Sequence, residues 1–143
     1  MLEGFMAFFA SLGFGILFNV PKRQLIYVAI VGMFGGFSYK LLLLLNIGDI
    51  IALFIASSII SLLSEILARL LHCPTTVFLI CALVPLVPGG GMYYTILEIV
   101  NSNLNEALIT GINTLAQACS IVMGCTLISS IFYTINYGKN KTL

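Results

Sequence analysis

The sequence predicts an all-α integral membrane protein, a bundle of about five transmembrane helices with no soluble domain. Of the 143 residues, 60% are apolar and 8% are charged, and the mean hydropathy is +1.14. Soluble domains carry roughly 25% charged residues. The apolar residues form segments close to the roughly 20 residues that a helix needs to cross the hydrocarbon core. We therefore expect the lipid bilayer to be the solvent of this chain.

Short polar segments divide a single transmembrane domain, residues 1–143, into its predicted helices. Pro21, His72-Cys73-Pro74 and the run Asn101–Glu106 are among the polar breaks between apolar segments. Asn103 and Glu106 also have the spacing of a capping box at a helix start. The predicted spans cover residues 2–20, 25–45, 50–71, 75–100 and 107–136, and the fourth is broken at 85–91.

Small residues follow one face of each of the first two helices. In lipid, such residues let helix backbones approach closely and so mark packing faces. The two patterns are Gly4, Ala7, Ser11 and Gly15 in the first helix and Gly32 with Gly36 in the second. They predict either packing within the bundle or a contact with another subunit, including a second copy of the chain in a homo-oligomer.

The basic residues predict the orientation, because short cytoplasmic loops accumulate Lys and Arg. With five crossings, one side holds Lys22, Arg23, Arg69, Lys139 and Lys141, and the other holds Lys40. We expect a multi-pass protein of the cell membrane (inner or plasma membrane) with the N-terminus outside and the C-terminus in the cytoplasm. A re-entrant hairpin at 75–100 would remove this asymmetry.

The third helix carries ionisable groups on one face. Ser57, Ser61, Glu65 and Arg69 follow at successive i, i+4 steps. Ionisable groups within a span usually face the bundle interior or a water-filled cavity. Glu65 is therefore a candidate for coupling, as a proton carrier or a cation contact. The alternative is a structural ion pair with Arg69, whose long stem can reach the interface.

The last helix carries a polar and small-residue stripe of Asn113, Gln117, Ser120 and Gly124. Such a stripe in an apolar helix either bonds to a neighbouring helix or lines an aqueous path. We expect it to line a path, with Asn113 and Gln117 as candidate substrate-binding residues.

The fourth segment contains the run Pro-Leu-Val-Pro-Gly-Gly-Gly-Met-Tyr-Tyr. Proline removes a backbone donor and glycine has low helix propensity, so the helix is predicted to break at membrane depth. Transporters use broken helices for substrate sites, with a half-helix N-terminus directed at a carboxylate. The alternative is a kink that fits the helix around a neighbour. The candidate substrate-binding residues are Pro85, Pro88, Gly89, Gly90, Gly91, Tyr93 and Tyr94.

Several classes of function are not indicated by the sequence. The net charge of +1 provides no basic stripe of the kind that nucleic acids require. His72 is the single histidine, and we find no nucleophile and base set, no ATP-binding glycine loop and no paired cysteine spacing for a metal. We expect no enzyme activity, no catalytic residues and no cofactor or metal.

Taken in order, Cys73-Pro74-Thr75-Thr76, the Pro-x-x-Pro-Gly-Gly-Gly element at 85–91 and Tyr93-Tyr94 resemble the threonine/serine exporter family. The closest resemblance is to its short YjjB-like subunit, which matches the membrane-embedded C-terminal half of the fused exporters. The resemblance implies export of a small carboxylate, either threonine and serine or a dicarboxylate such as succinate. It also implies a larger YjjP-like membrane subunit as partner. A membrane scaffold or assembly subunit without its own transport path is the alternative.

Overall fold

The protein is all-helical over the residues that the computed structural model describes, which are 2–140 for the backbone and 4–135 for the side chains. A single turn of 3-10 helix, Val84–Leu86, follows α4. The helices are α1 Leu2–Leu17, α2 Lys22–Leu44, α3 Asp49–Leu71, α4 Thr75–Leu83, α5 Gly89–Val100 and α6 Leu104–Asn140.

Three of these helices in the described chain are long and apolar enough to cross a membrane, namely α2, α3 and the Leu104–Ile135 part of α6. The 75–86 segment and α5 are bent by 49° at the break between them, and they count as a fourth if the pair is one broken span and not a re-entrant loop. Helix α1 is apolar but has 16 residues, which corresponds to about 24 Å at 1.5 Å per residue. The structure thus supports an all-α membrane protein, whereas the predicted count of five spans is not confirmed, because it needs both α1 and the bent pair to cross the membrane.

Four helices are each followed, within two residues of their last residue, by a residue that adopts the left-handed conformation. These residues are Asn19, Asn46, His72 and Ser102, with φ between 52° and 63°. Asn46 illustrates the local bonding, because the N–H of the next residue, Ile47, donates to the carbonyl of Leu42 at 3.1 Å. This bond satisfies a carbonyl at the helix end as in a Schellman motif. The polar residues at the predicted breaks thus end the helices.

Two helices begin three residues earlier than the sequence predicts. Helix α2 starts at Lys22, directly after Pro21, and α6 starts at Leu104, directly after Asn103. Proline has no N–H to lose at a helix start, so it suits this place, and the basic residues after it are helical. Lys139 and Lys141, on which the predicted orientation also depends, lie outside the residues whose side chains are described.

The core lies between α2, α3 and α4. One cluster of buried side chains joins Val31, Leu53, Ile60 and Leu86 with Ile121 of α6, and a second surrounds the fully buried Phe78. Helix α1 packs mainly against α2, and α6 packs mainly against α3. Helix α5 packs on α6 and has no buried residue of its own.

The small residues predicted to mark a packing face of α1 are its buried positions, Gly4, Ala7, Ser11 and Gly15. They face α2, where a Cβ added to Gly32 would lie 2.6 Å from the Cβ of Ser11. Real Cβ atoms do not approach so closely, so Gly32 is required by the approach of the two helices. These residues therefore pack α1 on α2 within one chain.

Candidate functional site

The turn between α4 and α5 is built around two prolines. Pro85 lies in the 3-10 turn, Val87 is extended with φ −60° and ψ 130°, and Pro88 immediately precedes α5. Since proline has no N–H, neither residue can donate the bond that would continue α4. The helix is thus interrupted at the predicted place.

Gly89, Gly90 and Gly91 form the first turn of α5, whereas the sequence predicts them to lie within the break. The first N–H groups of any helix lack an intrahelical acceptor, so a glycine run can begin a helix as well as interrupt one. The N–H of Gly89 donates to the carbonyl of Val87 at 2.7 Å. Among the described residues, no backbone carbonyl accepts a bond from Gly90 or Gly91.

The second and third of these glycines have different surroundings. A Cβ added to Gly90 would meet no heavy atom within 4 Å, whereas one added to Gly91 would lie 3.2 Å from the Cβ of Thr114 on α6. The carbonyl of Gly91 also accepts a bond of 2.7 Å from the hydroxyl of Thr95. Gly91 is therefore a packing position, and no contact in the described chain requires a glycine at Gly90.

The two tyrosines after the glycines lie on the open side of α5. Tyr93 is 62% exposed and Tyr94 is 57% exposed. Their rings meet edge to face, with centroids 5.5 Å apart. Neither side chain is held by the core, so both are available to lipid, to a partner or to a substrate.

Asn113 and Gln117 lie beside the start of α3. They line an open cleft of about 500 Å³ together with Asp49. The carboxylate of Asp49 accepts bonds from Gln117 Nε2 at 3.4 Å and from the Tyr39 hydroxyl at 3.2 Å. We refer to the space lined by Asp49, Asn113 and Gln117 as the Asp49 cleft.

The other members of the predicted stripe on α6 are closed off by α3. Ser120 is buried and its hydroxyl donates to the carbonyl of Ile50. Gly124 is buried, and a Cβ there would lie 2.6 Å from the carbonyl oxygen of Phe54. The stripe therefore divides into a helix contact at Ser120 and Gly124 and an open part at Asn113 and Gln117.

Glu65 and Arg69 lie in a second cleft, beyond the closed contact. The Nη2 atom of Arg69 is 4.0 Å from Oε2 of Glu65. The side chain of Arg69 is 39% exposed and that of Glu65 is 15% exposed. The same nitrogen donates to the carbonyl of Phe132 at 3.4 Å, and the guanidinium lies 4.6 Å from the centre of that ring. The cleft measures about 550 Å³ and is also lined by the hydroxyl-bearing residues Thr126, Ser129, Ser130, Tyr133 and Thr134.

The structure brings some of the predicted site residues together and separates others. Gly91 reaches Thr114, the neighbour of Asn113, so the turn at the start of α5 contacts the helix that carries the Asp49 cleft. Glu65 lies at the opposite end of the α3–α6 contact. The sequence does not predict the contact of Thr114 with the glycine run, because that contact depends on the bend.

Comparison with known proteins identifies a matching family and a relative of this chain. The model of a family described as "Threonine/Serine exporter, ThrE" matches residues 3–131. A protein of Haemophilus influenzae, described as an uncharacterized protein, is 30% identical over 131 residues. That match covers 86% of this chain and 44% of the relative, so the chain spans less than half of the relative's length. No solved structure matches the chain.

Proposed function

The chain belongs to the threonine/serine exporter family, and we infer from this premise that it is a membrane subunit of a secondary transporter that exports small carboxylates. The substrate is either threonine and serine or a dicarboxylate such as succinate. The observation that carries this proposal is the family match together with the proline-broken helix pair, because broken helices at membrane depth form substrate sites in transporters.

We place the carboxylate of the substrate at the start of α5. The N–H groups of Gly90 and Gly91 have no backbone acceptor in the described chain, and helix N-termini carry roughly half a positive charge. The open space at Gly90 lets a ligand approach the backbone. Pro85, Pro88 and Gly89 shape this turn, and Tyr93 and Tyr94 flank it. Asn113 and Gln117 are the polar groups that we assign to the neighbouring part of the path.

The proposed topology has five spans, with the N-terminus outside and the C-terminus in the cytoplasm. Helix α1 would be the short span, and a helix shorter than the bilayer is accommodated by local thinning at modest cost. A reporter fused after the last residue, active only on the cytoplasmic side, is expected to be active. A signal from a reporter that is fused at the same place but is active only outside the cell would contradict this topology.

We propose that the larger YjjP-like membrane subunit covers α5. Of the described helices, α5 is the one without a buried residue, and a single broken helix is half of the usual transporter arrangement. A homo-oligomer could cover the same surface. The burial of Ser120 and Gly124 against α3 favours the alternative, a scaffold without its own path, because it removes part of the predicted polar lining.

The experiment that separates these functions is reconstitution of the chain in liposomes, with and without the larger subunit. Uptake and efflux of labelled threonine and labelled succinate are measured in both preparations. We expect flux when both chains are present. Flux from the chain alone would show that homo-oligomers suffice. Flux that needs the larger subunit and is unaffected by every substitution in this chain's open clefts would support the scaffold.

A further inference from the structure

A groove between the α1–α2 turn and α4 lies beside two basic residues that the proposed function does not use. The groove has a volume of about 260 Å³ and includes Pro21 in its lining. Lys22 and Arg23 follow Pro21 directly. We propose that this space, which we call the α1–α4 groove, binds a phospholipid with an anionic headgroup. An acyl chain lies in the groove, and the phosphate group contacts Lys22 and Arg23. This inference goes beyond the proposed function and does not depend on the transported substrate.

The turn that forms one wall of the groove is held in place at both of its ends. The N–H of Val20 donates to the carbonyl of Gly15 at 2.9 Å, and the N–H of Gln24 donates to the carbonyl of Pro21 at 2.8 Å. The side-chain amide of Gln24 also donates to the sulfur of Cys73, in the turn between α3 and α4. The groove is therefore formed by contacts within the chain and needs no ligand to shape it.

The lining of the groove suits an acyl chain. Val20 and Val77 are partly buried and pack against the cluster around Phe78. Phe18 and Ile80 are more open, with exposures of 57% and 50%. An acyl chain gains from contact with any apolar surface of this kind. The lining thus accounts for a lipid but does not select its headgroup.

The two basic residues provide the selection. Lys22 and Arg23 are exposed, and neither has a hydrogen bond, ion pair or ring contact within the described part of the chain. Their long side chains can extend to the level of the headgroups. A guanidinium matches two phosphate oxygens, and Lys and Arg next to a membrane attract anionic lipids. Charge complementarity therefore favours an anionic lipid over a zwitterionic one.

The described carboxylates lie away from these two cations. Asp49 contacts Tyr39, which lies 17 residues along α2 from Lys22, or about 25 Å at 1.5 Å per residue. Glu65 lines the cleft that α3 forms with α6. The other acidic residues of the described part lie on α5 and α6. In the proposed topology, Lys22 and Arg23 face the cytoplasm, where the leaflet carries anionic lipids.

Tryptophan fluorescence tests the proposal directly, because the chain has no tryptophan of its own. Phe18→Trp places an indole in the wall of the groove, where a phospholipid with brominated acyl chains quenches it on contact. The full chain is reconstituted in bilayers that contain brominated phosphatidylglycerol or brominated phosphatidylcholine. At low salt we expect phosphatidylglycerol to bind at least about tenfold more tightly, since each basic residue adds to the attraction. The preference should fall below about threefold in about 1 M salt, where the Debye length is about 3 Å.

A second position guards against a local effect of the first. Ile80→Trp, in the α4 wall of the same groove, should report the same preference and the same dependence on salt. Equal binding of the two lipids at low salt, in either chain once it is assembled, would overturn the proposal. A preference that salt leaves unchanged would also overturn it.

Another apolar groove of the chain provides the matched control. It has a volume of about 210 Å³, and its lining carries no charged side chain: Gly4, Phe5, Met33, Phe34 and Phe37. Phe34 is 48% exposed, so Phe34→Trp should be tolerated as Phe18→Trp is. We expect equal quenching by the two lipids at this position. The same preference in both grooves would overturn the proposal, because it would belong to the bilayer as a whole.

Variants of the basic pair locate the headgroup. In the Phe18→Trp chain, Lys22→Gln combined with Arg23→Gln should reduce the preference to within about twofold. Lys22→Arg combined with Arg23→Lys keeps both charges and should keep the preference. An undiminished preference in the glutamine variant would overturn the assignment. If the glutamine variant does not assemble, the dependence on salt decides, because that measurement leaves both basic residues in place.

Discussion

The two halves of the chain differ in how completely their helices are packed against one another. In α1 to α4, glycine and serine lie mainly in contacts between helices, as at Ser11 and Gly32, and the buried clusters of apolar side chains lie almost wholly in this half. In the α5 and α6 half, α5 has no buried residue, and polar residues of α6 line two open clefts. In the first half glycine and serine mainly serve packing, whereas the second half has both packed positions, such as Gly91, Ser120 and Gly124, and open ones, such as Gly90.

This difference tells us how to interpret a substitution. In lipid, close packing is a main source of helix association, so a side chain added at a packed position should act on the amount of folded protein. An added side chain at an open position of the second half should act on transport. The substitutions below are ordered by their expected effect on the free energy of unfolding, from the largest to the smallest.

Gly32→Val should have the largest effect on stability. A Cβ at this position would lie 2.6 Å from the Cβ of Ser11 and 3.4 Å from the carbonyl oxygen of Ala7. Overpacking of this kind costs about 1–3 kcal/mol and occasionally more. We expect a clear loss of protein from the membrane and a lower melting temperature in detergent. Gly13→Val is the matched control on α1, because a Cβ there meets nothing within 4 Å. Equal losses in both variants would contradict the packing account.

Gly91→Ala should have an intermediate effect. The new Cβ would lie 3.2 Å from the Cβ of Thr114, which is tight but less so than the contact at Gly32. Helix α5 lies at the edge of the bundle and can shift, so we expect a cost of about 1 kcal/mol, at the low end for overpacking. Thermal unfolding of the purified protein measures it. Replacement of Thr114 by alanine in the same chain should recover part of the loss, and a double variant less stable than the sum of the single changes would contradict the proposed contact.

Of these three substitutions, Gln117→Leu should change the free energy of unfolding least. Its bond to Asp49 is long, at 3.4 Å, and exposed, and the bond from Tyr39 to the same carboxylate remains. We expect a change below about 1 kcal/mol together with a reduced rate of export. Cys119→Ser, an exposed position on the same helix, should leave both quantities unchanged. An unchanged export rate in Gln117→Leu would remove this residue from the path.

Much of the fold follows from local sequence signals. Apolar length predicts the long helices, polar residues such as Asn46 and His72 end them, and helical spacing identifies Ser11 as a buried position on α1. These properties depend on residues near one another in the chain. The membrane character and the exporter family could thus be predicted from the sequence.

Contacts between distant residues could not be predicted in the same way. The stripe on α6 has a regular spacing, but only the packing of α3 shows that Ser120 is closed off while Gln117 stays open. The contact of Gly91 with Thr114 depends on the bend of 49° between the two halves of the broken helix. A single sequence without alignment contains no signal for either arrangement.

The most direct test of the account is Gly90→Val, since the central claim is that the start of α5 lies on the transport path. A Cβ at Gly90 meets no atom within 4 Å, and valine has a higher helix propensity than glycine, so the protein should insert, assemble and melt like the wild type. Export of labelled threonine and succinate should nevertheless be lost, because the side chain blocks the approach to the backbone N–H groups. An inserted Gly90→Val variant that exports at the wild-type rate would contradict the claim.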